Sequence, residues 1–309
     1  MVMSVVVRSP AKINVQLSVG PLRADGYHEL VTVFHAVELH DVITASPGEG
    51  ITLTMTGEGA ESLPADASNL AVRAAQALAD HMGIEPNVTL HIDKSIPIAG
   101  GMAGGSADAA GALVACDALW HTGLTRDALS EVAATLGSDV PFALYGGNAI
   151  GRGRGEVITP ILGRGQFHWV LALAEEGLST PQVYARCDEL RSDQVVPEAQ
   201  ASQALIQALH SGDPHALALE LHNDLQPAAL SLRPELRRLL DAGTEYGALA
   251  GLVSGSGPTC VFLARDGEHA LDIAVALTAS GVCRTVKRTS GPAHGARVMS
   301  VQENNVTES

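Results

Sequence analysis

The segment Pro97-Ile98-Ala99-Gly100-Gly101-Met102-Ala103-Gly104-Gly105-Ser106-Ala107 constrains this chain more than any other. Four glycines fall within six residues, after an alternating β-type run at 88–92 and before an alanine-rich helical run at 107–119. A strand therefore leads in and a helix leads out. Without Cβ atoms, backbone N–H groups can converge on an anion, and the helix N-terminus adds about half a positive charge. No Gly-Lys-Ser/Thr follows, so this is not a P-loop. The glycine spacing and the lack of an acidic ribose reader also set it apart from the dinucleotide fingerprint. Two readings stand: a phosphate cradle, or a tight turn under a helix of small residues. The glycines outnumber what a turn needs, which favours the cradle.

Composition sets the frame around this loop. The 309 residues carry 19 Lys and Arg against 34 Asp and Glu, a net charge of −15, which excludes a general nucleic-acid binder. An anionic ligand must bind through a local site rather than through the global field. Hydrophobic residues make up 46% and aromatics 3%, so the core is built from Ala, Val, Leu and Ile. The length suits one large or two medium domains. The N-terminus lacks a basic region and a cleavage site, and no apolar stretch reaches membrane-span length, so we expect a soluble cytoplasmic protein. Cys116, Cys187, Cys260 and Cys283 show no metal-ligand spacing and read as small apolar residues in a reducing compartment.

Patterning along the chain predicts strands at 4–8 (ended by Pro10), 29–45, 51–56, 88–92 and 169–174. Helices are expected at 69–82, 107–119, 125–136, 201–209, 216–221, 234–242 and 268–280, with a strand–turn–strand at 251–262. We read an α+β protein: an N-terminal domain at 1–160, a C-terminal domain at 161–300, and a disordered polar tail at 301–309.

Four further clusters carry chemistry. Lys12 and Asn14 share one face of a strand and can offer a cation and an amide to one ligand, or Lys12 is a solvated charge. Tyr27 and His28 follow an Asp-Gly turn; they can stack on a base and bond its edge, or be a core aromatic and a surface imidazole. Asp139 lies between Gly137-Ser138 and Val140-Pro141, held still as a general base or serving as a helix cap. The segment 251–260 is a second glycine turn, either a lid on the first or a plain hairpin.

Taken in order, Pro-Ala-Lys-Ile-Asn at 10–14, Asp-Gly-Tyr-His at 25–28, the glycine loop at 97–107, Gly-Ser-Asp-Val-Pro at 137–141, Gly-Arg-Gly-Arg-Gly-Glu at 151–156 and Ser-Gly-Ser-Gly-Pro-Thr at 254–259 resemble the GHMP kinase superfamily. Within it the chain is similar to the branch acting on a methylerythritol that carries cytidine diphosphate. The resemblance implies a two-domain fold with a left-handed β-α-β unit and a ferredoxin-like C-terminal domain. It implies an ATP-dependent kinase that phosphorylates the 2-hydroxyl of that substrate, with ATP and Mg²⁺ as cofactors. Lys12 and Asp139 match the catalytic pair, and 97–107 the ATP phosphate loop. Asn69 and Lys94 match the adenine end, Asn14 a contact to the erythritol, and Tyr27, His28 and Tyr184 the cytosine site. Ser106 is a candidate metal ligand by chemistry alone, and Arg152 and Arg154 are candidates to steer anions, or solvated loop charges. Metal ligands and oligomeric state stay open. Ala103 departs from the family's usual glycine and is tolerable there at a negative φ. The alternatives are a homoserine- or mevalonate-type kinase, whose substrates give Tyr27 and His28 no base to read, or a regulator of the same fold without turnover.

Overall fold

A computed structural model describes residues 2–98, 100–174 and 177–304 of the chain. Its N-terminal half opens with two long antiparallel strands, β1 (Val2–Leu22) and β2 (His28–Ser46). Between them Asp25 folds back to accept the Tyr27 N–H, and Gly26 supplies a positive φ of 83°. The parallel strands β3 (Ile51–Gly57) and β4 (Val88–Lys94) are joined by α1 (Leu70–Met82). Asn69 caps α1 by accepting the Ala71 N–H, and Gly83 ends it with a left-handed φ of 65°. The helices α2 (Gly104–Trp120), α3 (Arg126–Leu136) and α4 (Val140–Tyr145) follow, then the hairpin β5 (Asn148–Gly153) and β6 (Val157–Ile161).

The rest of the chain begins with β7 (Phe167–Leu173), α5 (Thr180–Leu190), α6 (Gln203–Ser211) and α7 (Pro214–Glu220). Next come β8 (His222–Asn223), α8 (Gln226–Leu232) and α9 (Glu235–Glu245). The chain closes with β9 (Ala250–Val253), β10 (Cys260–Ala264), α10 (Gly267–Ser280), β11 (Thr285–Gly291) and β12 (Arg297–Asn304). Among the described residues the strands form two sheets. The first runs β12-β1-β2-β4-β3, with β5 paired to β2 and β6, and β8 paired to β1. The second runs β11-β7-β10-β9, all antiparallel. The α+β reading holds.

Three boundaries differ from the sequence reading. Pro10 does not end the first strand; it sits where the β1–β2 register shifts, a bulge that needs no proline N–H. Helix α2 starts at Gly104, inside the glycines, because tertiary packing against Ile96 and the sheet overrides their poor helix propensity. A strand runs through residues 301–304 where a polar tail was expected, because β12 pairs with the start of β1; residues 305–309 lie outside the described residues. Both β8 and β12 bring the later half of the chain back to the first sheet.

The core follows from the scarcity of aromatics. Ala109, Ala110, Ala112 and Ala115 of α2 are fully buried against Val5, Ile43 and Leu90 of the sheet. A Cβ at Gly111 would overlap the Ile43 side chain, so the helix lies close enough for backbone and sheet to touch. All four cysteines are free, and Cys116, Cys187 and Cys260 are buried.

Candidate active site

Lys12 and Asn14 lie on the same face of β1, both buried. The Lys12 ammonium donates to Asn14 Oδ1 at 2.8 Å and to the Gly101 carbonyl at 3.1 Å, and stands 3.4 Å from Asp139 Oδ2. It also lies 5.7 Å from the centre of the Phe34 ring. Asn14 is oriented in turn by donating to Thr32 Oγ1 at 2.7 Å. Asp139 occupies the cap position of α4 but makes no capping bond, so its carboxylate is left to face Lys12. The cap reading of Asp139 therefore lacks its hydrogen bond.

The glycine loop forms the adjoining wall of a cavity of about 960 Å³. Pro97, Ile98, Gly100 and Gly101 line it, as do Ala103, Gly104, Gly105 and Ser106 at the start of α2. Met102 and Ala107 instead pack into the core, and Ala99 lies outside the described residues. Among the described residues no side chain caps α2, so its first N–H groups face the cavity side of the loop without a capping partner. The second glycine turn closes on the first. A Cβ at Gly101 would overlap the Ser254 carbonyl, and the Ser254 hydroxyl donates to the Gly101 carbonyl at 3.3 Å. Ala103 has φ 59°, so the condition under which its methyl is free of strain is not met.

Asn69 and Lys94 also line the cavity, but their polar atoms are engaged within the protein. Asn69 caps α1 and donates to the Pro64 carbonyl at 2.8 Å. Lys94 is wedged between Asp41 at 2.5 Å and Asp108 at 2.6 Å, all three buried. Burial alone would depress the Lys94 ammonium, and the two carboxylates reverse that and hold its pKa above the ordinary value. Burial raises the Asp108 carboxyl against the pull of Lys94. Sequence reasoning missed Asp41 and Asp108, since Asp41 stands 53 residues before Lys94 and no local pattern links them.

At the other end, His28 Nδ1 donates to the Gly20 carbonyl at 2.9 Å, and Nε2 meets Asp188 Oδ1 at 3.2 Å. The Tyr184 ring stacks on His28 with centroids 5.7 Å apart. Burial pushes the Tyr184 phenol well above its ordinary range. Tyr27 is half-exposed, with the Arg154 guanidinium 5.1 Å above its ring. Tyr184 therefore faces His28 rather than Tyr27, and Arg154, not Arg152, reaches the cavity. Asp188 was also missed; it follows Tyr184 by four positions on α5, and that helical spacing is the signal that could have found it.

Residues 69–147 match the family model of the GHMP kinases N terminal domain, and residues 205–283 that of the GHMP kinases C terminal. The chain is 58% identical to a protein of Mycolicibacterium smegmatis named 4-diphosphocytidyl-2-C-methyl-D-erythritol kinase, over 96% of this chain and 92% of that one. It belongs to the 4-diphosphocytidyl-2-C-methyl-D-erythritol kinases of the GHMP kinase family. A kinase of the same name from Streptomyces coelicolor is 57% identical, over 96% of this chain and all of that one. A crystal structure of 4-(cytidine 5'-diphospho)-2C-methyl-D-erythritol kinase superposes with a TM-score of 0.76 at 32% identity, covering 92% of this chain and 98% of that one. Homoserine kinase from Cytophaga hutchinsonii shares the fold, at a TM-score of 0.74 and 18% identity over 96% and 97% of the two chains.

Proposed function

We propose that this GHMP kinase transfers the γ-phosphoryl group of ATP to the 2-hydroxyl of 4-diphosphocytidyl-2-C-methyl-D-erythritol, a step of non-mevalonate isoprenoid synthesis. The observation that carries this is the Lys12–Asp139 pair, 3.4 Å apart, in a cavity walled on one side by the uncapped start of α2 and on the other by Tyr27, His28 and Tyr184. The free N–H groups at Gly104, Gly105 and Ser106 suit nucleotide phosphates. Asp139 takes the proton of the attacking hydroxyl, the oxygen bonds to the γ-phosphorus, and ADP leaves. Lys12, held by Asn14 Oδ1 and the Gly101 carbonyl, balances negative charge as it develops between hydroxyl and phosphate. Asn14 steers the erythritol end, and the ring cluster seats the cytosine.

Among the described residues no group of three or more His, Cys, Asp or Glu side chains could hold a metal ion. Mg²⁺ would then ride mainly on the nucleotide phosphates, with the Ser106 hydroxyl offered by the protein; when bound it neutralises phosphate charge. Asn69 and Lys94 shape the adenine end of the wall, with Lys94 acting as a buried strut between Asp41 and Asp108. Among the described residues no helix is long and apolar enough to cross a membrane, and we place the enzyme in the cytoplasm. The test is coupled ADP release with the cytidine substrate against homoserine, mevalonate and galactose. Turnover confined to the cytidine substrate supports the reading; faster turnover of homoserine or mevalonate overturns it.

A further inference from the structure

Among the described residues three carboxylates line the cavity: Asp108, Asp139 and Asp188. Asp108 is tied to Lys94 and Asp139 faces Lys12, which leaves Asp188 as the carboxylate beside the aromatic cluster. We propose that Asp188 selects the base of the substrate by accepting a hydrogen bond from an exocyclic amine, so that it admits cytosine and rejects uracil. This rests on the cytidine reading above.

Tyr184 and Asp188 are four residues apart, so both side chains leave the same face of α5. Tyr184 packs on His28, and Asp188 reaches the Nε2 edge of the same imidazole at 3.2 Å. His28 cannot turn that edge away, because Nδ1 is spent on the Gly20 carbonyl at 2.9 Å, and a carbonyl only accepts. The two rings and the carboxylate thus form one fixed surface, with Asp188 at its half-exposed rim. A base seated against the rings brings its polar edge to that rim.

An ionised carboxylate offers acceptors and no donor. The 4-amino group of cytosine donates there. Uracil has a carbonyl oxygen at the same position, which would face the carboxylate oxygens with no proton between them. A fixed acceptor at that rim disfavours the analogue that brings a second acceptor to it, since the two oxygens repel with no proton between them. Stacking on Tyr27 or Tyr184 cannot make this distinction, because both pyrimidines present a similar face.

The test is kcat/KM for diphosphocytidyl- and diphosphouridyl-methylerythritol in wild type, Asp188→Asn and Asp188→Glu. Calorimetry with CDP and UDP runs on the same three proteins. Wild type is expected to prefer the cytidine substrate by about 100-fold or more, and Asp188→Asn to narrow that by about tenfold or more, mainly through KM. Asparagine can present an amide N–H to uracil where aspartate cannot. Asp188→Glu, which keeps the carboxylate, is expected to keep more of the preference than Asp188→Asn. A preference in Asp188→Asn within twofold of wild type overturns the proposal, as does an equal loss with Glu and Asn. If wild type fails to phosphorylate the cytidine substrate, the functional reading fails instead, and the CDP-to-UDP affinity ratios still decide the role of Asp188.

Discussion

At the scale of single residues, the site depends on how few alternatives its side chains have. Asp139 makes no capping bond, so removing its charge should cost little structure. Asp139→Asn is expected to keep the melting temperature and nucleotide affinity while kcat falls about 10²–10⁴-fold, the usual worth of a general base. Steady-state kinetics with calorimetry checks this; kcat within about threefold of wild type would remove Asp139 from that role. Tyr184 supports His28 as well as offering a stacking face. Stacking on a base is worth about 1–3 kcal/mol, so Tyr184→Ala should raise KM for the cytidine substrate about 5–150-fold and leave KM for ATP nearly unmoved. Equal weakening of both substrates would instead mark Tyr184 as core packing for the whole site. Ala103 holds φ 59°. Ala103→Gly should relieve that strain and stabilise the protein by about 1 kcal/mol in chemical denaturation, since alanine pays roughly 1–2 kcal/mol in the left-handed region.

At the scale of elements, the proposed phosphate site and the packing of the fold meet at the start of α2. A Cβ at Gly104 would meet Ile96 Cγ2 at 3.2 Å and Lys94 Nζ at 3.6 Å. Gly104→Val should therefore act as a wedge between the helix start and Ile96. A non-hydrolysable ATP analogue is expected to bind at least about tenfold more weakly, while CDP binding holds, because the ring cluster lies on other elements. Unchanged analogue affinity in calorimetry would make the loop purely structural. The same helix shows what the sequence could and could not reveal. Helices α1 and α3 were legible because Asn69 and Thr125 cap them and Gly83 and Gly137 follow them. The start of α2 was not, since glycines read as loop until a sheet beneath holds them. Helix α5, β8 and β12 carried no strong periodicity, and partners distant in sequence fix them. In the site, Lys12 with Asn14 was legible from strand alternation. The Asp41–Lys94 half of the strut and the stacking of Tyr184 on His28 were not, because each joins elements far apart in the chain.

At the scale of the whole molecule, two sheets meet around buried polar groups that set limits on stability. His35 is fully buried between them, near Phe167 and Trp169, and its ring bonds to Asn148 at 2.6 Å. Burial holds its pKa at about 4 instead of 6.5, against the opposing pull of the Asn148 bond. The folded imidazole is neutral, whereas the unfolded one takes a proton below its ordinary value. Its contribution is therefore present above pH 6.5 and is lost as pH falls toward 4, an effect of about 3 kcal/mol in all. Urea denaturation between pH 7 and 5 should show stability falling with pH more steeply in wild type than in His35→Gln; equal slopes would place this acid sensitivity elsewhere. Phosphoryl transfer itself is read by incubating the enzyme with ATP labelled in the γ-phosphate and 4-diphosphocytidyl-2-C-methyl-D-erythritol, and locating the label by phosphorus NMR. The label should appear as a monoester on the 2-hydroxyl, with one ADP released per product and none transferred by Asp139→Asn at a comparable rate. Label found only in inorganic phosphate, or on another hydroxyl of the erythritol, would contradict the account.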